Sequence, residues 1–350
     1  MNSKWTKNVS AFIIGWIVGL FIWSMIRGLG QEIQLDILGL IVSPFMYLIL
    51  LISISCVVGT IFGTLQYFYE HYYTKTTSFK QFVIQSILVH ILLMVGIYLI
   101  SFFVVNAAGT WQKGLVEFLN RPALLENLIF SVFINIEVII VIQINRLLGR
   151  GNLGKLITGK FFAPREEIRA FMFMDLKGST TIAEQLGHLN YSRFIQDCFH
   201  YLSIIDDYKA TIYQYVGDEV VLTWKIDDDN VLKDAIDAFY AYTSFLKAKA
   251  DYFETEYGVQ PIFKAGLHIG PITVVEVGNI KREIAYHGDT INVAARIQEQ
   301  CKKFDKPILL SQEAMEKVKN LPNYIIEHVG EFVLRGRKKS TELYSVLPKK

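Results

Sequence analysis

The sequence predicts a multi-pass α-helical membrane domain followed by a cytoplasmic α/β domain with a ferredoxin-like sheet. Two observations carry this prediction. First, 52% of the 350 residues are hydrophobic, which is too apolar for a soluble protein of this size, and the excess lies almost wholly before residue 146. Second, between residues 167 and 347, short strands rich in β-branched and aromatic residues alternate with helical stripes, which is the pattern of an α/β sheet.

Four apolar stretches before residue 146 are long enough to cross a bilayer. Residues 9–26 and 37–69 contain no charged residue, residues 82–105 carry only His90, and residues 127–145 carry only Glu137. Because about 20 residues span the hydrocarbon core, each stretch predicts a transmembrane helix. The expected helices lie at about 9–27, 40–66, 82–105 and 127–146, which gives a membrane domain at 1–146 and a linker at 147–166.

The distribution of basic residues predicts the orientation of these helices. Lys and Arg concentrate on the cytoplasmic side of membrane proteins, so both termini and the second domain are placed in the cytoplasm, at the cell membrane. The net charge of +2 is too small to indicate a nucleic-acid partner, whereas the apolar helices imply a lipid bilayer. The inner basic residues are Lys4, Lys7, Lys75, Lys80, Arg146, Arg150, Lys155 and Lys160, and the outer ones are Arg27, Lys113 and Arg121.

Three features of the first half bear on regulation. His90 and Glu137 lie inside predicted spans, where ionisable residues are costly. Three alternatives stay open for them: a ligand or proton sensor, a structural hydrogen-bonded pair, or positions closer to a membrane interface than the predicted spans place them. The loop at 106–126 is too short for a folded sensor domain. Four glycines between residues 149 and 159 weaken a helix, so the linker is predicted to be a flexible or partly helical transmitter.

In the second half, two apolar strands each place an aspartate at a strand end. The segment FMFMDLKGST, residues 171–180, contains Asp175, and YQYVGDEVVLTW, residues 213–224, contains Asp218. Two carboxylates held at neighbouring strand ends can share a pair of divalent cations about 3.5–4 Å apart. On turn and cap statistics alone, Asp175 could equally cap the following helix, and Asp218 could be an ordinary turn residue.

A third motif, HGDTINVAARIQ at residues 287–298, places Asn292 and Arg296 four residues apart and so on one helix face. With FMFMDLKGST, YVGDEV, this motif and the late VLRGR at 333–337, the chain resembles the catalytic domain of class III nucleotidyl cyclases. The resemblance covers about residues 167–347. It implies an enzyme that cyclises a nucleoside triphosphate and releases pyrophosphate, in a homodimer whose sites each combine residues of both subunits.

The resemblance also implies roles for individual residues. Asp175 and Asp218, with the backbone carbonyl of Leu176, would hold two Mg²⁺ or Mn²⁺ ions. Asn292 would orient the ribose, and Arg296 would neutralise charge at the reacting phosphate. The substrate-binding residues implied by the motifs are Gly178, Ser179, Thr180, Gln214, Ala285 and Arg335, the last of which takes the place of a basic residue for the terminal phosphates.

The nucleotide is predicted to be ATP. Two positions usually read the base in this family: one lies four residues before the second metal aspartate, and the other lies three residues before the GDT glycine. Adenylyl members usually have a lysine at the first position and an aspartate or threonine at the second. Guanylyl members tend to have glutamate and cysteine there. Gln214 and Ala285 stand at these positions and match neither pair. Because neither residue is a carboxylate that could accept the guanine N–H groups, ATP is favoured over GTP, and a pyrimidine triphosphate stays open. The missing contact is expected from Tyr213, Tyr215, Tyr286 or His287.

Three other functions compete with a cyclase. A diguanylate cyclase shares the related fold, but its signature hairpin has two glycines before the aspartate, and Val216 replaces the first here. A catalytically silent cyclase-like receptor or scaffold would normally have lost a metal-binding or transition-state residue. This chain keeps all four such residues: Asp175, Asp218, Asn292 and Arg296. A transporter or channel is disfavoured because the predicted spans carry only two ionisable residues.

Overall fold

The computed structural model describes residues 3–28, 34–35, 40–41, 44–73, 79–107, 114–115, 117, 122–149, 151–227, 230–318, 321–333 and 340–349. The chain divides into two compact units, Met1–Arg146 and Leu147–Lys350. The first unit is helical, with one short hairpin, and the second is a mixed α/β sheet domain. The fold class predicted from the sequence is therefore confirmed.

The first unit contains four long helices: α1 (Ser3–Gly28), α2 (Pro44–Tyr73), α3 (Phe79–Ala107) and α4 (Pro122–Leu148). Each is long and apolar enough to cross a membrane, over Lys4–Ile26, Phe45–Glu70, Lys80–Val104 and Leu125–Leu148. The second helix begins at Pro44 rather than at residue 40, since the fixed φ of proline suits the first helical position. Residues 34–35 (β1) and 40–41 (β2) instead pair as antiparallel strands.

Glycines let the first two helices approach each other at backbone distance. A Cβ atom added to Gly59 would lie 2.6 Å from the Ile13 Cα atom, and one added to Gly63 would lie 2.5 Å from the Val9 Cα atom. Gly59 and Gly63 are four residues apart and face α1 together, as in the small-residue packing of membrane helices. Because these two residues have no side chain, the backbones of α1 and α2 can come into contact.

His90 and Glu137 do not form the structural pair considered above. His90 is 2% exposed and packs its ring edge-on against Phe12 and Phe62, with centroid distances of 5.5 and 4.8 Å. Within the described part of the chain, neither of its ring nitrogens has a hydrogen-bond partner. Glu137 is exposed on the surface of α4. The hydrogen-bonded pair was the wrong alternative because the two side chains point to different environments.

A polar cluster that the sequence did not reveal joins all four helices of the first unit. Glu70 on α2 accepts hydrogen bonds from Asn8 on α1 (2.8 Å) and from Gln66 (3.0 Å), and it forms an ion pair with Arg146 on α4. Ser86 on α3 donates to Gln66 at 2.6 Å. A carboxylate that is 11% exposed is tolerated here because Asn8, Gln66 and Arg146 all interact with it.

The second unit begins with a short helix and builds one eight-stranded sheet. Its strand order is β4-β5-β3-β6-β8-β10-β9, with β7 paired to the far half of β6; β6 and β8 are parallel and the other pairs are antiparallel. The helices are α5 (Asn152–Ile157), α6 (Ser179–Tyr201), α7 (Val231–Ala248), α8 (Ala250–Tyr257), α9 (Asp289–Lys303) and α10 (Gln312–Lys317). The strands are β3 (Arg165–Leu176), β4 (Thr211–Val216), β5 (Glu219–Lys225), β6 (Phe263–Val277), β7 (Glu283–His287), β8 (Ile308–Ser311), β9 (Tyr324–Val333) and β10 (Ser340–Pro348).

The sheet is covered on both faces. Alternate residues of β3 and β6 pack with α6, α7 and α8 in the larger core, while α9 packs on the opposite face. The ferredoxin-like sheet predicted from the sequence would carry its helices on one face, and this expectation is wrong for α9. A Cβ atom on Gly266 of β6 would lie only 2.7 Å from the Ala294 carbonyl oxygen, so the strand and α9 are in backbone contact.

The run KAGLHIGPITVVEVG, residues 264–278, contains Gly270 and Pro271, and this pair predicts a break between two strands. That prediction is wrong, because Phe263–Val277 form the single strand β6. The first half of β6 pairs with β8 and the second half pairs with β7. Pro271 lies between these two partners, where its missing N–H removes no ladder bond on that side. The strand therefore continues through the proline and changes neighbours there.

Candidate active site

The ends of β3 and of the β4–β5 hairpin bring Asp175 and Asp218 together. β5 pairs antiparallel with β3 up to Met174 and Val220, which places the hairpin turn beside the next residue of β3, Asp175. The turn itself is Gly217–Asp218, and Gly217 has φ of +62°, a conformation that favours glycine. The structure thus juxtaposes the two predicted carboxylates.

The two carboxylates perturb one another. Burial, followed by the charge and side chain of Asp218, raises the pKa of Asp175 to about 6. Burial and the charges of Asp175 and Asp218 raise the pKa of the neighbouring Glu219 to about 7. Like charges held together in a partly buried place favour protonation unless a cation neutralises them.

One oxygen of the pair is left without a partner. The Asp218 Oδ2 atom is buried, and no described residue hydrogen-bonds to it. An orphaned carboxylate oxygen beside a second carboxylate fits a hard divalent cation. Among the described residues, no three His, Cys, Asp or Glu side chains form a complete metal cage. This agrees with Mg²⁺, which usually takes one or two protein carboxylates and completes its shell with water and phosphate oxygens.

The segment after Asp175 supplies donors for an anion. Leu176 ends β3, and Gly178 has φ of +74° at the position before α6, which begins at Ser179. No side chain caps this helix N-terminus. The first N–H groups of this helix, which is kinked at Gly187 (φ +71°), are therefore available, including that of Thr180, and a helix N-terminus favours phosphate.

The helix that carries Asn292 and Arg296 is fixed to the sheet along its length. At its start, the Thr290 hydroxyl donates to the Pro271 carbonyl at 2.8 Å, and near its end the Cys301 thiol donates to the Ala265 carbonyl at 3.1 Å. Asn292 is exposed and Arg296 is half-buried. Both side chains therefore project from a rigid support.

A cavity of about 350 Å³ brings Asn292 and Gln214 together. Its other polar lining comes from Tyr213, Tyr286 and His287, and its floor includes the buried Phe173. Neither Asp175 nor Asp218 lines it. Within one chain, the structure therefore sorts the sequence-predicted residues into an acidic site with a helix N-terminus and a separate cavity with Gln214 and Asn292.

Three sequence-predicted residues do not join either group in the described structure. Arg296 and Ala285 are absent from the cavity lining, and Ala285 pairs with Val275 in the β6–β7 ladder. Arg335 lies outside the described residues.

Of the four residues expected to supply the missing base contact, three line the cavity. The β4–β5 register shifts between Ile212 and Gln214, and this bulge lets Tyr213 and Gln214 both reach the cavity, although they are neighbours in the strand. Tyr215 instead packs on Phe199 at a ring distance of 4.8 Å. Strict alternation in the sequence could not reveal the bulge.

Sequence reasoning missed Gln298 and Glu219. The Gln298 side chain interacts with the Asp175 carboxylate and opposes the rise in its pKa. Glu219 follows Asp218 directly and shares its charged environment. Gln298 and Asp175 are 123 positions apart, so no local sequence pattern predicts their contact. The acidic pair Asp218–Glu219, in contrast, is visible in the VGDE turn.

Comparison with known proteins gives consistent results. A family model described as the adenylate and guanylate cyclase catalytic domain matches residues 163–347. "Adenylate cyclase 2" of Rhizobium meliloti (strain 1021) is 28% identical over 266 residues, which cover 76% of this chain and 73% of that protein. The "Adenylate cyclase" of Anabaena cylindrica is 23% identical over 187 residues, covering 50% of this chain and 36% of that protein.

Among solved structures, a bacterial light-regulated adenylyl cyclase superposes with a TM-score of 0.54 at 17% identity, over 65% of this chain and 67% of that one. This likeness supports the fold. The Rhizobium alignment is longer than the segment matched by the family, and only three residues follow residue 347. It therefore extends into the part of this chain that precedes residue 163.

Proposed function

The chain belongs to the adenylate and guanylate cyclase catalytic domain family and is a nucleotidyl cyclase, and on that premise we propose that it converts ATP into 3′,5′-cyclic AMP and pyrophosphate at a membrane. The observation that carries the proposal is the Asp175–Asp218 pair with its buried, unpartnered Oδ2 atom. A cyclase-like scaffold without activity has no use for two repelling carboxylates held at adjacent strand ends.

The residues of the acidic site fit a pair of divalent cations. Asp175 and Asp218, with the carbonyl of Leu176, would hold two Mg²⁺ or Mn²⁺ ions. When bound, such ions supply Lewis acidity that lowers the pKa of the ribose 3′-hydroxyl and neutralises phosphate charge. The N-terminus of α6, from Gly178 to Thr180, would donate backbone N–H groups to phosphate oxygens.

The second group of residues would bind the other parts of the substrate. Asn292 would hydrogen-bond the ribose, and Arg296 would engage two phosphate oxygens with its planar guanidinium, which never deprotonates. Arg335 would bind the terminal phosphates. The 3′-hydroxyl then attacks the α-phosphorus in line as pyrophosphate leaves, and no protein nucleophile is required.

The separation of the two groups within one chain supports a symmetric homodimer. The cavity holds Gln214 and Asn292, both exposed, and lacks Asp175 and Asp218. In a twofold dimer, the cavity of one subunit would face the acidic site of the other, which builds two equivalent sites.

The cavity lining supports ATP over GTP. No carboxylate lines it, and the Gln214 amide has one acceptor atom for the two N–H groups that guanine presents. We expect kcat/KM for ATP to exceed that for GTP by roughly tenfold or more, because unpaired guanine donors are penalised. The test is purified full-length protein with ATP, GTP, CTP and UTP in separate assays, with products identified by mass. Faster formation of cyclic GMP, CMP or UMP would contradict the nucleotide assignment.

The proposed topology makes a separate prediction. With both termini and the catalytic unit in the cytoplasm, single cysteines at positions 75 and 150 should react with an impermeant thiol reagent only after the cell membrane is opened. A cysteine at position 113 should react in intact cells. The chain for this test has its three native cysteines replaced by alanine. Labelling of position 150 in intact cells would place the catalytic unit outside and contradict the topology.

A further inference from the structure

The segment between the last long helix and the first catalytic strand is anchored on the sheet. The sequence predicts a flexible or partly helical transmitter here. The structure has the short helix α5 in this segment, and it also fixes the segment to the sheet. Phe161 is 3% exposed, and its carbonyl accepts a hydrogen bond from the Glu276 N–H on β6 at 2.7 Å. The next residue, Phe162, is 80% exposed. One aromatic side chain of the linker is thus buried in the catalytic unit and its neighbour is not.

The hydrophobic cluster that includes Phe161 also forms part of the wall of the nucleotide cavity. Phe161 and Leu156 belong to this cluster, which lies on the α9 face of the sheet. Five members of the cluster line the cavity: Phe173, Tyr213, Val221, Tyr286 and Ile291. Phe161 is therefore part of the apolar packing that includes the cavity wall.

Arg169 on β3 contacts the same wall. The Arg169 guanidinium lies 5.0 Å from the centroid of the Tyr286 ring and donates to Glu167 at 2.9 Å. Tyr286 packs edge-on against Tyr213 at 4.8 Å. Tyr286 is thus in contact with Arg169 and Tyr213, and it belongs to the same hydrophobic cluster as Phe161.

We propose that Phe161 is a positioning residue for the nucleotide-binding cavity, and that the linker segment 152–161 sets the affinity of this cavity for nucleotide. The proposal rests on the function proposed above. Loss of the Phe161 ring would leave a void in the cluster that contains Tyr213 and Tyr286, and the wall would relax into it. Since members of this cluster line the cavity, whereas Asp175 and Asp218 do not, loss of the ring would alter KM more than turnover.

The test compares two adjacent phenylalanines in the full-length protein. We expect Phe161→Ala to raise KM for ATP by about tenfold while kcat changes by less than about threefold, since uniform binding is lost without a change at the metal site. The conservative variant Phe161→Leu should recover most of the affinity because it refills the void. Phe162→Ala, the matched control, should behave like the wild type because its ring is exposed.

Two further measurements keep the outcome interpretable. Where Phe161→Ala unfolds, Leu156→Ala, which removes a side chain packed against the same cluster, carries the KM comparison. Calorimetric titration with a non-cyclisable α,β-methylene analogue of ATP measures affinity without turnover. It therefore tests the role of Phe161 even if the wild-type protein is inactive. An inactive wild type would refute the proposed function but not this inference. Unchanged affinity in Phe161→Ala, a fall in kcat at constant KM, or an equal effect of Phe162→Ala would overturn the proposal.

Discussion

Replacing Asp175 or Asp218 by asparagine should lower cyclase turnover by about a thousandfold or more, because in the proposed mechanism the two carboxylates hold the cations that activate the 3′-hydroxyl and screen the phosphates. Asparagine preserves the shape of each side chain but removes the charge. The effect should therefore appear in kcat with both Mg²⁺ and Mn²⁺, measured on purified protein at saturating ATP.

The stability of these variants separates a catalytic role from a structural one. Burial and mutual repulsion raise the pKa of Asp175, so its ionised form at neutral pH costs folding free energy. Removing one charge relieves that cost, and the thermal unfolding midpoint should not fall. Asp227→Asn is the matched control, since Asp227 is a surface residue paired with Lys225. Turnover that stays near the wild-type value in Asp218→Asn would refute the assignment of the metal site.

The sequence revealed the candidate residues that are defined by local spacing. Asp175 and Asp218 could be placed at strand ends because short apolar strands precede or flank them, and Asn292 and Arg296 could be placed on one helix because they are four residues apart. The four apolar helices followed from length and composition alone. These features are local, so periodicity suffices to find them.

The features that escaped prediction depend on contacts between distant elements. The bulge at Tyr213 is a property of the β4–β5 pairing, and the burial of Phe161 rather than Phe162 depends on which ring meets the sheet. Gly270 and Pro271 suggested a strand break because the sequence does not show that β6 changes neighbours there. Local propensity is overridden at each of these points by tertiary packing.

The proposed assembly of the site from two subunits predicts a second large effect. Asp218→Ala and Arg296→Ala should each abolish activity when expressed alone, because every site in either homodimer lacks one essential group. A heterodimer of the two variants would contain one site with both defects and one intact site. With equal expression and random pairing, half of the dimers are mixed, so about a quarter of wild-type activity should return.

Co-expression of these two chains with different affinity tags, followed by tandem purification and assay with ATP, tests the central claim most directly. Asp175→Ala with Asp218→Ala is the negative control, since both changes fall in the same half of the site and no intact site can form. The account predicts activity in the doubly tagged Asp218→Ala and Arg296→Ala dimer and none in the control. Doubly tagged dimers without activity would contradict it, because the acidic site and Arg296 would then have to act within one chain.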